Sequence, residues 1–325
     1  MKRLLLNLIL LILLCNSAFA QSKLDKMLMP APVKNNGRLI LIGSTFGGTY
    51  AATFTSLYKY WYKCYPQSTF HLFNDDGEWL QMDKSGHLWT ANVESNFSFD
   101  LLTWSGLDKN HAILYGALTG LAAQTTIELF DGFSKEWGFS VGDETADFLG
   151  SASFAVQQYV WDEQRIQIKF SDHLENYNYN PVLAKRAHDL FGSYFPQKNL
   201  KDYNGQTYWL SANIYSFLGD RENTTFPKWL NVSFGYGADG MFGARSNVFH
   251  INNSEEDDGT GASYNYNNIP RYRQYYLSLD VDLTKIPTHS AILRSLFKIT
   301  NCIKIPAPAI EYNSLNKWVF HPVYF

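Results

Sequence analysis

The chain has 325 residues, with 27 Lys and Arg against 30 Asp and Glu and a formal net charge of −3. There is no basic excess to neutralise phosphates, so nucleic-acid binding is excluded as a class. The length is ample for a full hydrophobic core, in one large or two ordinary domains.

Met1-Lys2-Arg3, an apolar run from Leu4 to Leu14 and an Ala18-Phe19-Ala20 site predict a secretory signal peptide over residues 1–20. The expected location is therefore outside the cytoplasm, in the periplasm or outer membrane. The apolar run is too short to serve as a spanning anchor. Cys15 offers lipid modification as an alternative end to the signal, against which Leu13 and Leu14 are bulky. Without Lys2 and Arg3 the net charge becomes −5, and two cysteines remain, Cys64 and Cys302. Export leaves them free to pair or to stand as separate buried thiols. The chain holds 23 Phe, 21 Tyr and 9 Trp. Such a content suits either a filled core with an aromatic surface or a protein that touches lipid.

Residues 21–37 read as a linker, with two prolines and an Asn-Asn-Gly turn. Arg38 to Tyr60 is apolar and rich in small residues. It lacks the G-x-G-x-x-G pattern and the Walker lysine of a nucleotide loop, and is expected to be a helix packing closely on its neighbours. His71 to Trp79, with Asp75-Asp76-Gly77, reads as a turn. Three helices are then predicted. The first begins at Asp83 as N-cap, with His87, Ala91 and Ser95 on one face. The second runs from about Asp108 to Phe130, stepping through Gly116, Gly120, Gln124 and Glu128. The third starts near Ser140, where Ser140-Val-Gly-Asp143 has capping-box spacing, and ends about Trp161.

From residue 164 the period changes to two. Ile166 to Phe170 and parts of Tyr208–Phe217, Trp229–Tyr236 and Tyr275–Leu283 alternate as strands. The acidic run Glu255–Asp258 reads as a solvated loop without EF-hand spacing. A short helix is expected around Ser290 to Phe297. Trp318 to Phe325 resembles the terminal strand of outer-membrane barrels, although Pro322 suits an edge strand. The fold class is α+β: a small-residue helical bundle over residues 38–163, then an antiparallel β-rich part over residues 164–325.

G-F-S-V-G at Gly138–Gly142 matches the nucleophile elbow of serine hydrolases, but no buried strand precedes it, and Ser140 serves as a helix cap. The stronger candidates for catalysis or metal binding are His87, Glu128, Asp131, Asp143 and Asp147. Asp143 and Asp147 share a helix face at i, i+4, as Glu128 and Asp131 do at i, i+3. Carboxylates gathered with a histidine in a small-residue seam repel unless a divalent metal, a proton or a cation compensates. His87 with a carboxylate could also serve as a general acid–base pair. Against these stands a structural network, with Asp83 and Asp143 as helix-start acids and Lys84, Lys135 and Arg165 as partners.

The same motifs resemble the YfiM-like predicted periplasmic lipoproteins, a bacterial family of unknown function. The elements are Asp83-Lys84-x-Gly86-His87, Glu128-x-x-Asp131-Gly132-x-Ser134, Trp137-Gly138-x-Ser140-x-x-Asp143-x-x-x-Asp147-x-x-Gly150 and Gln164-Arg165. A fainter similarity is to the VanZ-like membrane proteins, with Asp147 here where that pattern has Asn. The resemblance implies a cell-envelope location and supplies no reaction. The leading expectation is a non-enzymatic protein, outer-membrane-associated or periplasmic, whose helical seam is held by a polar network, with a membrane surface or envelope lipid as the candidate partner. Its rivals are a metal-assisted hydrolase acting on a lipid or envelope polymer, and an outer-membrane barrel or pore.

Overall fold

The computed structural model describes residues 23–60, 62–178, 180–192, 195–219, 221, 223–251 and 262–325. The expected signal peptide and the run Glu255–Asp258 lie outside them. The architecture is α+β, helices first and an antiparallel sheet after.

The region expected to be a bare linker contains a short helix, α1 (Lys23–Leu28). Arg38 ties this segment to the bundle by donating to the carbonyls of Met29 (2.8 Å) and Trp104 (2.7 Å). Helix α2 (Asn36–Tyr60) is continuous. The close packing expected of it does not occur, for a Cβ added at Gly43, Gly47 or Gly48 would meet nothing within 4 Å. Its contacts are aromatic instead, with Phe54 stacked on Phe130 at 5.8 Å. Large rings hold the backbones apart, so its glycines are not needed for approach.

Close approach is found in the next three helices, α3 (Met82–Trp104), α4 (Lys109–Asp131) and α5 (Val141–Trp161). A Cβ on Gly120 of α4 would fall 2.5 Å from the Ala91 carbonyl of α3, and one on Gly116 would fall 3.0 Å from the Ser95 carbonyl. Gly150 of α5 is equally crowded by the Leu88 carbonyl and Ala91. Asp108 and Ser140 cap α4 and α5 by accepting from the amides of His111 and Asp143. Among the described residues no helix is long and apolar enough to cross a membrane.

The sheet comprises β1 (Ile166–Asp172), β2 (Gln206–Asn213), β3 (Leu230–Asp239), β6 (Tyr272–Val281), β7 (Ala307–Asn313) and β8 (Trp318–Tyr324), neighbours in that order and all antiparallel. Between β3 and β6 sits a hairpin of β4 (Val248–Ile251) and β5 (Ala262–Asn265). Helices α6 (Pro181–Phe191) and α7 (Phe195–Lys201) follow β1, and α8 (Ala291–Thr300) precedes β7. The alternation signal does not reveal α6, α7, the hairpin or β7. Strands β1 and β8 are not paired with each other, so the sheet does not close and the barrel expectation is not met. Part of the free edge of β1 is taken by residues 302–304, through Phe170 and its bridge to Ile303. Pro322 sits on the edge strand, where its missing N–H costs no ladder bond. Cys302 is a free thiol, and the side chain of Cys64 lies outside the described residues.

The sheet is curled with its polar face inward. Lys169 on β1 and Asp280 on β6, with two strands between them, form a fully buried ion pair at 2.8 Å. Thr207 on β2 likewise meets Tyr324 on β8 at 3.0 Å. A chain of hydrogen bonds runs through this interior: Asn213 donates to Asn231, Asn231 to Ser211, and Ser211 to Asp280 at 2.6 Å. Removing one member of a buried ion pair strands the other charge, at a cost of roughly 3–5 kcal/mol. Lys169→Ala is therefore expected to lose about that much in denaturant unfolding, and Lys169→Met combined with Asp280→Leu to recover part of it. Equal losses in the single and double variants would contradict the pairing.

Candidate functional site

Helix α3 starts from an unusual turn. Trp79, Leu80 and Gln81 have φ of 45°, 52° and 64°, three successive non-glycine residues in the left-handed region. Each such residue costs of order 1–3 kcal/mol and persists only where its surroundings hold it. Here the holders are numerous. The Trp79 amide donates to Ala244 (2.7 Å), Arg273 donates to the Gln81 side chain (2.7 Å), Tyr236 donates to the Leu80 carbonyl, and the Trp79 ring packs on Tyr203. Because Gln81 occupies the cap position and Met82 begins the helix, Asp83 lies inside the first turn. The expected N-cap role for Asp83 is thus not seen. Its carboxylate accepts from the Tyr203 hydroxyl instead.

The seam forms where α3, α4 and α5 meet. His87 of α3 sets Nδ1 at 3.1 Å from Asp147 of α5 and Nε2 at 3.7 Å from Glu128 of α4. Asp147 is fully buried, and Glu128 nearly so. The second oxygen of Glu128 accepts from the Ser140 amide at 2.9 Å, which ties the start of α5 to α4. Beside this group the Lys84 ammonium bridges Asp75 (2.6 Å), Asp76 (3.5 Å) and Asp143 (3.2 Å). Ligand-type atoms of Asp83, His87 and Asp143 all lie within 4.8 Å of one another. Further along the seam Gln124 donates to Glu94 at 2.9 Å.

Burial alone would push the His87 imidazole down. The Asp147 hydrogen bond and the charges of Asp83, Asp147 and Asp143 outweigh it, raising the pKa to about 10. The carboxyls show the converse. Burial raises Glu128 to about 8, Glu94 to about 7 and Asp131 to about 7, and lifts Asp147 as well. Asp75 and Asp143 lie close enough to act together. Burial and the Asp75 contact raise Asp143 to about 7, while Asp75 is pushed up by burial but held at about 2 by Asp143, Lys84 and Ser140. The seam at neutral pH is therefore an imidazolium and an ammonium among carboxyls, several of which are poised to hold protons.

Of the five residues singled out in the sequence, His87, Glu128, Asp143 and Asp147 converge. Asp131 stands at the end of α4 beside the Tyr62 hydroxyl and senses His87 only through space. Ser140 is a cap, accepting from the Asp143 amide at 3.1 Å and donating to Asp75 at 2.7 Å. Of the expected cationic partners, Lys84 engages the seam, whereas Arg165 pairs with Glu163 at 2.9 Å. Sequence reasoning missed Asp75, read only as a turn residue, and Asp83, read only as a cap. The i, i+4 spacing of Asp83 and His87 was the available signal for the latter. Tyr203 carried no signal, since the C-terminal part brings it to Asp83 from far along the chain.

A buried acidic seam at a three-helix junction, backed by a polar-cored sheet, characterises this α+β protein. Residues 71–159 match the family model described as predicted periplasmic lipoprotein (DUF2279). The match runs from the turn holding Asp75 through nearly all of α5 and includes every seam residue named above except Tyr203 and Tyr62. The family's predicted location agrees with export to the periplasm. No curated protein and no solved structure matches the chain.

Each raised group binds its proton more tightly in the folded state than in the unfolded one. Stability from the carboxyls is thus complete only below their ordinary values of 3.8 to 4.5, that from His87 below 6.5, and both decline as pH rises. The decline from Asp131, Asp143 and Glu128 levels off at about 7 to 8, where they titrate in the folded protein, and that from His87 at about 10. Asp75, depressed to about 2, contributes the opposite slope below its ordinary value of 3.8. The thermal midpoint should therefore fall steadily between about pH 5 and 9, and Glu128→Gln should flatten that fall. A midpoint rising over this range in the unsubstituted protein would contradict the assignment.

Proposed function

We propose that the chain is a non-enzymatic protein of the bacterial cell envelope, periplasmic or outer-membrane-associated, in which the seam acts as an ionic clamp on three helices. The observation that carries this reading is that the reactive groups face one another. Both nitrogens of His87 point at carboxylates of other helices, Lys84 is shared among three aspartates, and Ser140 is spent on a helix cap. A clamp of this kind fixes the rotation of each helix about its own axis, because a turned helix would leave a charge unpaired in the interior. His87→Ala is expected to destabilise the mature protein by roughly 3–5 kcal/mol. Asp147→Asn should cost less, since the amide still accepts a hydrogen bond. A His87–Asp147 double-variant cycle read by urea unfolding checks this, and a coupling near zero would remove the clamp.

The second reading is a metal-assisted hydrolase acting on a lipid or envelope polymer, favoured by the mutual closeness of donor atoms on Asp83, His87 and Asp143. Two carboxylate oxygens and an imidazole suit a divalent ion, and Asp147 on Nδ1 would orient the ring from behind. Elemental analysis of the dialysed mature protein separates the two readings. The clamp predicts no stoichiometric metal and a thermal midpoint unmoved by EDTA. Retained metal, with a midpoint that drops on chelation, supports the hydrolase.

A further inference from the structure

We propose that the convex face of the sheet lies in the hydrocarbon of a lipid bilayer. The inference stands on the sheet and does not rest on the reading of the seam.

The register aligns the outward residues in rows across all six strands. One row is aromatic throughout: Phe170, Tyr208, Tyr236, Tyr275, Tyr312 and Trp318. The next is apolar throughout: Ile168, Leu210, Phe234, Leu277, Ile310 and Phe320. Helix α3 covers this face at β1 and β2, where Trp89 packs on Phe170 and Ile168 is buried, and its first residue Met82 with the turn before it covers the Tyr236–Ala238 end of β3. Beyond that cover Phe234 is 51% exposed, Leu277 54% and Phe320 64%. The opposite, inward row carries Gln167, Ser211, Ser233, Ser278, Ala309 and His321 instead, beside a buried cluster of Trp209, Tyr276 and Tyr324.

This is the reverse of a water-soluble sheet, which turns its apolar side inward. Water on the uncovered part of the convex face would meet contiguous apolar side chains while the protein spent its hydrogen bonds and a buried ion pair on its own interior. Hydrocarbon removes that penalty. An aromatic row bordering an aliphatic one on the outer face, with a polar interior, is the pattern by which strands meet lipid.

A second copy of the chain accounts for the exposure less well. An ordinary interface covers about 800 Å² on each partner. Apolar exposure here continues on the far side of α3, at Leu118 of α4 and at Phe148, Leu149 and Val156 of α5. One copy docked on the sheet would leave those residues in water, whereas acyl chains can reach both sides. Lipid cannot satisfy an unpaired backbone edge, so the proposal concerns the face of the sheet and places the free edge of β8 at its margin.

The test uses the mature chain in vesicles of phosphatidylethanolamine and phosphatidylglycerol, with Cys64→Ala and Cys302→Ala and one nitroxide-labelled cysteine replacing Leu277. Collisions with dissolved oxygen should exceed those with a water-soluble nickel chelate several-fold, and a label replacing the exposed Lys317 should show the reverse. Nickel exceeding oxygen at position 277 overturns the proposal. So does low access to both reagents together with a dimer in sedimentation, because protein would then cover the face. Phe234 and Ile310 serve as second and third label positions should the first variant misfold. Carbonate washing of the unlabelled chain gives an independent reading: retention with the vesicles is expected, and release to the supernatant overturns the idea.

Discussion

A charge taken out of water has to meet its counter-charge inside the protein, and both halves of this chain are organised by that constraint. In the helical half His87 lies between Asp147 and Glu128, with Lys84 drawing in Asp75, Asp76 and Asp143. In the sheet Lys169 reaches across two strands to Asp280, and a run of Ser and Asn side chains completes the network. Such interiors gain little net stability from their ion pairs, since desolvation cancels much of the attraction. They gain definition, because few arrangements leave every buried group satisfied.

The two halves are not independent. Three left-handed residues, Trp79 to Gln81, set the direction in which α3 leaves, and the sheet supplies Tyr236 and Arg273 to hold them. Tyr203, just ahead of β2, reaches back to Asp83, and the Tyr208 hydroxyl lies 3.0 Å from where a Cβ on Gly86 would stand. A bulkier residue at position 86 would press on the sheet one residue from His87. The position of the imidazole is therefore set from two sides, by glycine contacts with α4 and α5 and by tyrosines from the C-terminal part.

Much of the helical half is legible in the residue order. Asp108 and Ser140 cap the helices that their positions predict, because a short oxygen-bearing side chain ahead of an apolar run has few other uses. Asp83 misleads, since the same residue type can sit inside a first turn when backbone strain upstream supplies the start. The glycines of α2 also mislead. Small residues permit close contact without requiring it, and the rings around Phe54 and Phe130 decide otherwise. Helices α6 and α7 and strand β7 escape because short elements between loops carry too few periods to stand out.

By itself the sequence determined which side chains share a surface. Period two separates Val232, Phe234 and Tyr236 from Asn231 and Ser233 on β3, and i, i+4 spacing puts Asp143 and Asp147 on one side of α5. It could not determine which surface faces inward, because an alternating strand reads the same whether its polar or its apolar side is buried. Curling of the sheet made that choice, bringing Lys169 to Asp280 and leaving Phe234 and Leu277 outside. Likewise the rotation of three helices, set where Gly116, Gly120 and Gly150 let backbones touch, brought His87 between Asp147 and Glu128. Local spacing fixes direction along one element, and only packing between elements decides what that direction meets.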